Sequence, residues 1–347
     1  MTSAAEQLAN QAPGMPPFDI VRAAFVELLV TDLDRAEHFY AELLGMIVSA
    51  RTDDALYLRG WEERQHHSLI LRRSSVAAAA RLGFRVRSEG DLERLAEFAD
   101  ASGLTSRWIP AGSDPGTGRS LRIWDAFGYP LEFCCEMEQF EPQHQRFDLH
   151  RGAPLLRFDH LNLHAPRVED AFVFWLELGF RCSEYIATDA TDGGDDRITG
   201  AWLLRKPTVH DVALTAGTGP RLHHFAYWIG EPAGVLRACD QLAGGRQSHV
   251  IERGPGRHGV SNAFFVYLRD PDGHRIELYS CDYYTGDPDH KPLRWSVSDP
   301  RCRSFWGTRA PDRWYDESSL LIGPDGEPVP ITPAGVDERA QRTEVAA

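Results

Sequence analysis

The sequence predicts an α+β fold of two domains, each built from two copies of a strand–helix–three-strand unit. Three observations predict it. The length of 347 residues suits about two domains. A strand followed by an apolar-faced helix recurs in each half, and each half closes on a turn and a strand. Hydrophobic residues make up 42% of the chain, which is enough to fill two cores.

The first unit of each half starts with a strand and a helix. Residues 25–30 form an apolar run and precede a helical pattern over residues 36–46. Residues 158–164 alternate as in a strand and precede a helical pattern over residues 170–180. Each helical pattern ends at a glycine followed by one large apolar residue, which predicts a helix stop there.

The second unit of each half repeats this order. Residues 82–86 precede a helix around residues 91–101, and residues 223–228 precede a helix around residues 233–242. The halves close on turn-and-strand segments at residues 125–133 and 270–278. The second turn reads Asp-Pro-Asp-Gly, so the strand after it is well bounded.

These patterns divide the chain into five parts. They are a flexible leader (1–20), a first domain without metal (21–150), a second, catalytic domain (151–290), an arm over the second domain (291–334), and a disordered tail (335–347). The arm is rich in Pro and Trp, which predicts that it wraps the second domain. The tail is charged and small-residue-rich, a composition typical of disorder.

Superposing the halves pairs three residues of the second half with three of the first: His160 with Val26, His224 with Leu82, and Glu277 with Glu132. Two imidazoles and one carboxylate are the ligand set of non-haem Fe(II) oxygenases, which leaves one face of the metal open. A purely structural motif is expected in both halves, whereas both histidines are missing from the first. The alternative for each strand histidine is a hydrogen-bonded or surface residue.

Composition excludes several classes of partner. A net charge of -14 argues against nucleic acid and anionic membrane surfaces. No apolar run reaches membrane-spanning length, and the first 17 residues lack the layout of a secretory signal. None of the six cysteines forms a Cys-x-x-Cys pair, so we expect reduced thiols in a cytoplasmic protein.

Several segments resemble the type I extradiol ring-cleaving dioxygenases of the vicinal oxygen chelate superfamily. They are residues 202–206, 209–214, 219–224, 251–264 and 282–288, and the likeness is dense over about 155–325. The resemblance implies the vicinal oxygen chelate (glyoxalase-like) fold and extradiol (meta) cleavage of a catechol by dioxygen. It is greatest to the members acting on 3,4-dihydroxyphenylacetate, which implies 5-carboxymethyl-2-hydroxymuconate semialdehyde as product. A different substituted catechol is the alternative.

The resemblance also implies the metal and its ligands. The family's ligands fall on His160, His224 and Glu277, and the expected metal is Fe(II), with Mn(II) in some relatives. Ligand type alone does not separate the two metals, since both accept nitrogen and oxygen donors. A homotetramer is implied as well.

Four further family positions fall on residues near this set. His210 corresponds to the acid–base histidine, Asn162 to an asparagine that positions dioxygen or substrate, Tyr267 to a tyrosine that hydrogen-bonds a substrate oxygen, and Trp202 to a wall of the pocket. Taken alone, each has a structural alternative. His210 could be hydrogen-bonded in a turn beside Asp211, and Asn162 could complete a strand end. Tyr267 could be a half-buried aromatic residue on the strand at 264–268, and Trp202 could be core packing.

The substrate carboxylate is expected to meet Arg253, His258 and Arg303 by the same resemblance, and an arginine fork suits a carboxylate. Cys302 stands where the family members acting on 3,4-dihydroxyphenylacetate carry a further arginine. Its alternative consequences are weaker carboxylate binding or a preference for another ring substituent. Arg253 could instead anchor a turn by pairing with a surface acid.

Two other functional classes share this type of fold. One is a metal-free ligand-binding protein, which has no need of His160, His224 and Glu277 together. The other is a non-redox glyoxalase-like isomerase or lyase, which uses a different ligand mix. Stoichiometric iron separates the first from a dioxygenase, and oxygen uptake with a catechol separates the second.

Overall fold

The computed structural model describes residues 3–190 and 195–335 and contains two large mixed sheets. The strands of the first sheet are β1 (Ile20–Val30), β2 (Ile47–Arg51), β3 (Ala55–Arg59), β4 (Leu69–Arg73), β5 (Ala78–Val86), β6 (Thr105–Ile109), β7 (Ser120–Trp124) and β8 (Pro130–Cys134). They lie in the order β2-β3-β4-β1-β5-β8-β7-β6.

The second sheet has nine strands. They are β9 (Leu155–Ala165), β10 (Arg181–Ala187), β11 (Ile198–Leu204), β12 (Val212–Ala216), β13 (Arg221–Ile229), β14 (Ile251–Arg257), β15 (Phe264–Arg269), β16 (Arg275–Ser280) and β17 (Leu293–Ser296). Their order is β14-β15-β16-β13-β9-β12-β11-β10-β17.

One helix follows the first strand of each unit. The described residues contain six α-helices: α1 (Ala4–Ala9), α2 (Leu33–Glu37), α3 (Glu89–Ala101), α4 (Val168–Glu177), α5 (Pro232–Gly244) and α6 (Arg313–Asp316). A wider π-helical turn over His38–Leu43 extends α2. The predicted α+β fold of paired strand–helix–three-strand units is therefore confirmed in both sheets.

The predicted helix stops have the backbone geometry of a left-handed cap. Gly45 and Gly179 follow the first helical segment of each domain with φ of +80° and +86°. Glycine adopts this region without the steric cost that a Cβ imposes. The chain therefore turns sharply from helix into β2 and β10 at matching points.

The strand register corrects our superposition of the two halves by one residue. In the second domain Ala226 pairs with both His160 and Glu277, and His224 pairs with Asn162. In the first domain Gly83 pairs with both Phe25 and Glu132, and Arg81 pairs with Glu27. The first-domain equivalents of the three candidate ligands are thus Phe25, Arg81 and Glu132.

Val26 and Leu82, which we had matched to the histidines, lie instead in the main hydrophobic core. The superposition was wrong by one residue because strand pairing is irregular near these positions. The register shifts between Ala23 and Phe25 in the first domain and between Leu222 and His224 in the second. Such bulges insert a residue into one strand, and a shift by one residue exchanges the faces of the sheet.

An ion-pair network surrounds Arg81 in the first domain. Its guanidinium contacts Glu27, lies 2.6 Å from Asp114 and lies 3.2 Å from Glu132. Arg72 binds Glu27 from the other side at 2.5 Å. The side chain of Arg81 is almost fully buried, so an organic cation and its carboxylates fill the place that corresponds to the three-residue cluster of the second domain.

The segment predicted as a flexible leader contains α1, which packs on the second domain. Ala5 and Ala9 are buried, and the Ala5 amide donates to the Asp196 carboxylate. A short apolar face and one buried acceptor are enough to hold it. The predicted tail lies, apart from Gly335, outside the described residues.

The arm packs on the second domain as expected and also reaches the first. β17 pairs in parallel with β10, and Ser319 bridges to Leu222 on β13. Leu321 then bridges to Ala79 of the first domain. None of the helices in residues 3–190 and 195–335 is both long and apolar enough to cross a bilayer.

Candidate metal centre

His160, His224 and Glu277 come from three neighbouring strands, β9, β13 and β16. The Nε2 atoms of His160 and His224 lie 3.0 and 3.1 Å from Glu277 Oε2. One ligand atom from each residue can be chosen so that all lie within 4.8 Å of one another, and all three residues are buried. The strand register explains why these side chains lie close together. Ala226 on β13 pairs with His160 on β9 on one side and with Glu277 on β16 on the other.

This arrangement fits a divalent metal ion. The other carboxylate oxygen of Glu277, Oε1, is buried and has no hydrogen-bond partner. A buried carboxylate without its full set of partners is costly unless a cation satisfies it. Two nitrogen donors and one oxygen donor are also the donor types that Fe(II) and Mn(II) accept.

The outer ring nitrogens of both histidines are held by neighbours. His160 Nδ1 lies 2.8 Å from the Asp159 carboxylate, and His224 Nδ1 lies 2.6 Å from His223 Nδ1. Burial lowers the pKa of His224 to about 4, so its imidazole is neutral near pH 7. Neutral imidazole is the form that binds metals.

His210 lies against this cluster. Its ring centroid is 3.9 Å from that of His160, and its Nδ1 is buried without a hydrogen-bond partner. The Asp211 carboxylate instead accepts from the backbone amides of Ala23, Arg205 and Lys206. The alternative of a structural histidine bonded to its neighbour is therefore not what the structure shows. Burial, followed by the neighbouring His160 and Lys206, lowers the pKa of His210, which favours the neutral imidazole.

Tyr267 and His258 form a hydrogen-bonded chain with a defined direction. His258 Nδ1 contacts the Arg303 carbonyl, which can only accept, so this nitrogen carries the proton. His258 Nε2, 2.9 Å from the Tyr267 hydroxyl, is then the acceptor. The hydroxyl oxygen of Tyr267 keeps its lone pairs for a donor from the cavity.

Asn162 also has a hydrogen bond that fixes its orientation. Its Oδ1 accepts from the Thr215 hydroxyl at 2.9 Å, which leaves the Nδ2 donors available. Asn162 and Trp202 both line the same cavity as the candidate metal ligands. Trp202 also contacts the small apolar cluster behind that wall.

The arginines lie on the side of the cavity formed by β14 and the arm. Arg253 is buried, donates to the Arg303 carbonyl and to Ser304 Oγ, and has an Nε without a hydrogen-bond partner. Among the described residues it forms no ion pair with a carboxylate, so the turn-anchor alternative is not seen. Arg303 lines the cavity too.

Cys302 does not reach the cavity. It is fully buried in an apolar cluster with Trp202 and Val260, and both of these residues line the cavity. Cys302 therefore lies behind two apolar residues of the cavity wall.

All ten site residues predicted from the sequence line this one cavity. Sequence reasoning missed several others, chiefly His223, Tyr279, Trp314 and Tyr315. For His223 a signal was present, since it directly precedes a ligand candidate. For Trp314 and Tyr315 there was none, because nothing local indicates where an irregular arm docks.

The comparisons with known proteins agree with this geometry. The family model described as "Glyoxalase/Bleomycin resistance protein/Dioxygenase superfamily" matches residues 22–133 and 157–278. The two matched segments correspond to the two sheets.

Solved structures and a curated relative are similar over most of the chain. An extradiol ring-cleaving dioxygenase from B. fuscum is 42% identical with a TM-score of 0.89, covering 94% of this chain and 90% of that chain. Homoprotocatechuate 2,3-dioxygenase from Arthrobacter globiformis is 42% identical with a TM-score of 0.87, covering 93% and 98%. A manganese-dependent 2,3-dihydroxybiphenyl 1,2-dioxygenase from Geobacillus genomosp. 3 is 32% identical over 303 residues, covering 83% and 94%.

The two solved structures share the fold over both domains, and all three relatives match over almost their full length. The chain therefore belongs to the glyoxalase/bleomycin resistance protein/dioxygenase superfamily and, within it, to the extradiol ring-cleaving dioxygenases.

Proposed function

We propose that the chain cleaves 3,4-dihydroxyphenylacetate beside its diol, giving 5-carboxymethyl-2-hydroxymuconate semialdehyde, at Fe(II) held by His160, His224 and Glu277. The observation that carries this proposal is the buried cluster of two imidazole nitrogens and one carboxylate at the wall of a cavity. Both oxygen atoms of one dioxygen molecule enter the product as the ring opens, so no other oxidant is needed.

A metal held by His160, His224 and Glu277 would supply Lewis acidity and redox chemistry for the reaction of catechol with dioxygen. The protein residues then position the substrate and move its protons. Positioning of reactants alone contributes up to about 7–11 kcal/mol in the most favourable cases.

His210 is the proposed acid–base residue. Its unpartnered Nδ1 and neutral ring suit it to accept a proton from a catechol hydroxyl and to return one to an oxygen later. Tyr267 would accept a hydrogen bond from a substrate hydroxyl, and His258 would hold the tyrosine in place. Asn162 would donate through Nδ2 to an oxygen of dioxygen or substrate.

Arg253 supports the choice of a carboxylate-bearing catechol. An Nε donor without a partner, on a buried guanidinium, is suited to a carboxylate, and Arg303 lies beside it. Trp202 would pack on the ring of the substrate as one wall of the cavity. Because Cys302 is buried behind that wall, the carboxylate would be bound by Arg253, His258 and Arg303 without a further arginine.

Mn(II) is the second metal that these donors accept, and one relative is named as manganese-dependent. The experiment is anaerobic reconstitution of the full chain with Fe(II) or Mn(II), followed by oxygen uptake with a panel of catechols. The panel contains 3,4-dihydroxyphenylacetate, its methyl ester as the uncharged matched substrate, and 2,3-dihydroxybiphenyl.

We expect a yellow product from 3,4-dihydroxyphenylacetate that contains both atoms of labelled dioxygen, and a much lower kcat/KM for the methyl ester. Equal kcat/KM for acid and ester would overturn the carboxylate assignment. Metal binding without oxygen uptake on any catechol would point to a glyoxalase-like reaction. Failure to bind metal would point to a ligand-binding protein.

Assembly and location are part of the same proposal. We propose a homotetramer, which light scattering of the purified protein tests. We propose a cytoplasmic enzyme, supported by six free cysteines of which four are buried. Cell fractionation with the native protein tests the location.

A further inference from the structure

His223 connects the candidate ligand His224 to the C-terminal arm. On one side, His223 Nδ1 lies 2.6 Å from His224 Nδ1. On the other side, His223 Nε2 lies 2.9 Å from the backbone carbonyl of Trp314 in α6. His223 is buried, so neither contact competes with bulk water.

These two contacts determine where the protons lie. A backbone carbonyl only accepts, so His223 Nε2 carries a proton and donates it to Trp314. A neutral imidazole has one donor and one acceptor nitrogen, so His223 Nδ1 accepts the proton of His224 Nδ1. The guanidinium of Arg275 donates to the His223 carbonyl, and this nearby positive charge disfavours a second proton on the ring.

The consequence falls on the inner nitrogen of His224. With its proton on Nδ1, His224 presents the lone pair of Nε2 to the cluster, 3.1 Å from Glu277. In the other tautomer Nε2–H would donate to the carboxylate, and the nitrogen could not bind a metal. The outer partner of a metal-binding histidine generally selects the tautomer in this way.

We propose that His223 is a positioning residue that holds His224 in its metal-binding tautomer, and that the arm fixes His223 through the Trp314 carbonyl. This inference rests on the proposed metal site. His160 has a carboxylate, Asp159, as its outer partner. His224 has instead a neutral histidine, whose own tautomer depends on a segment outside the sheet.

The first domain offers a matched comparison. There His66 and His67 are adjacent and buried, and their Nδ1 atoms lie 2.9 Å apart. Neither belongs to a cluster that could hold a metal among the described residues. A substitution of His67 therefore measures how much Tm falls when a buried histidine–histidine contact is lost and no candidate metal ligand is affected.

Two amide variants separate the two contacts of His223. The Oδ1 atom of asparagine occupies nearly the position of histidine Nδ1, so His223→Asn keeps the acceptor for His224 and loses the Trp314 contact. The Nε2 atom of glutamine occupies nearly the position of histidine Nε2, so His223→Gln keeps the donor to Trp314 and loses the acceptor. His223→Leu loses both.

The readouts are metal affinity of the full-length protein, by competition with a chelator, and the rise in Tm on adding Fe(II) or Mn(II). Ligand binding raises Tm according to its affinity for the folded state. We expect His223→Gln and His223→Leu to bind metal about 10- to 100-fold more weakly, the usual effect of removing such an outer partner. His223→Asn should stay within about threefold of the native affinity, since the tautomer-selecting contact is retained.

His67→Leu is the control. We expect it to lower Tm in the absence of metal without changing the rise in Tm that metal causes. Equal loss of affinity in His223→Asn and His223→Gln would show that His223 only fills space and would overturn this inference. Failure of the native protein to bind any divalent metal would instead overturn the proposed function, so the two failures are distinguishable.

Discussion

The Arg81 guanidinium occupies, in the first domain, the register position that the His224 imidazole occupies in the second. Arg81 pairs with Glu27 across the strands, as His224 pairs with Asn162. In the first domain the positive charge is the Arg81 side chain itself, whereas in the second domain the corresponding residues are candidate ligands for a metal cation. The same scaffold thus makes one closed and one open site.

Removing the internal cation should destabilise the protein strongly. In Arg81→Met, the buried carboxylates of Glu27, Asp114 and Glu132 lose a shared partner. Breaking a buried ion pair by removing one partner typically costs about 3–5 kcal/mol. Urea unfolding should show this loss.

Arg122→Met is the matched control, because Arg122 is partly exposed and, within the described part of the chain, forms its ion pair with Glu132 alone. Arg122→Met should lower the free energy of unfolding clearly less than Arg81→Met does. Equal decreases in the free energy of unfolding for the two substitutions would show that burial of the ion pairs does not determine how much they stabilise the protein. Metal affinity should be unchanged in both, since neither arginine lines the cavity.

Loss of a candidate ligand should abolish both metal binding and turnover. His224→Ala leaves one imidazole and Glu277, which is too few donors to hold Fe(II) at a working concentration. Metal analysis after gel filtration should find far less than one equivalent, with no oxygen uptake on catechols. Full iron occupancy in this variant would contradict the ligand assignment.

His210→Ala should separate metal binding from chemistry. His210 contacts the ring of His160 but is not a member of the three-residue cluster. We expect full metal content and a kcat lower by about 10²–10⁴-fold, the usual contribution of a general acid–base residue. A rate equal to that of the native enzyme would remove His210 from the mechanism.

Arg253→Met should act on the charged substrate specifically. The substitution keeps apolar contact with Phe265 and Trp314, over which the guanidinium now lies. Loss of a charge-assisted hydrogen bond of about 1.5–3 kcal/mol corresponds to a decrease in kcat/KM of about 10- to 150-fold for 3,4-dihydroxyphenylacetate. The methyl ester should change little, and an equal loss for both substrates would contradict the role.

Stability should fall in mild acid because of buried histidines. Burial is the main cause that lowers the pKa of His67 to about 3, below the value near 6.5 of an unfolded chain. Between these values the unfolded state binds more protons, so the free energy of unfolding decreases as pH falls below about 6.5.

His67 contributes at most about 1.4 kcal/mol per pH unit to the decrease in the free energy of unfolding with falling pH. Urea unfolding of native protein and His67→Asn from pH 6.5 to 4.5 measures the contribution by difference. The variant should show a slope flatter by about this amount. Parallel slopes would show that His67 does not remain neutral in the folded state.

The fold was predictable because each unit has a local pattern. Helical spacing, the glycines at positions 45 and 179, and the turn before β16 each act over a few residues. The register was not predictable to one residue, because bulges depend on how neighbouring strands twist and pack. This is why Val26 was matched to His160 in place of Phe25.

Some residues of the site could be predicted from the sequence, and others could not. His160, His224 and Glu277 lie on regular strands and could be found from pattern and resemblance. Trp314 could not, since its position depends on where the arm crosses β13 and the first domain. The importance of His223 follows only once its two partners are known in space.

The route of the arm has a consequence for biosynthesis. His160, His224 and Glu277 all precede the arm in chain order, so a ribosome makes the three candidate metal donors before it makes Arg303 and Trp314. A nascent chain that ended at Ser280 would carry every candidate donor, but it would lack the Trp314 carbonyl that contacts His223 and the part of the cavity wall that the arm supplies. Maturation of the enzyme with iron is therefore expected to follow docking of the arm, late in synthesis.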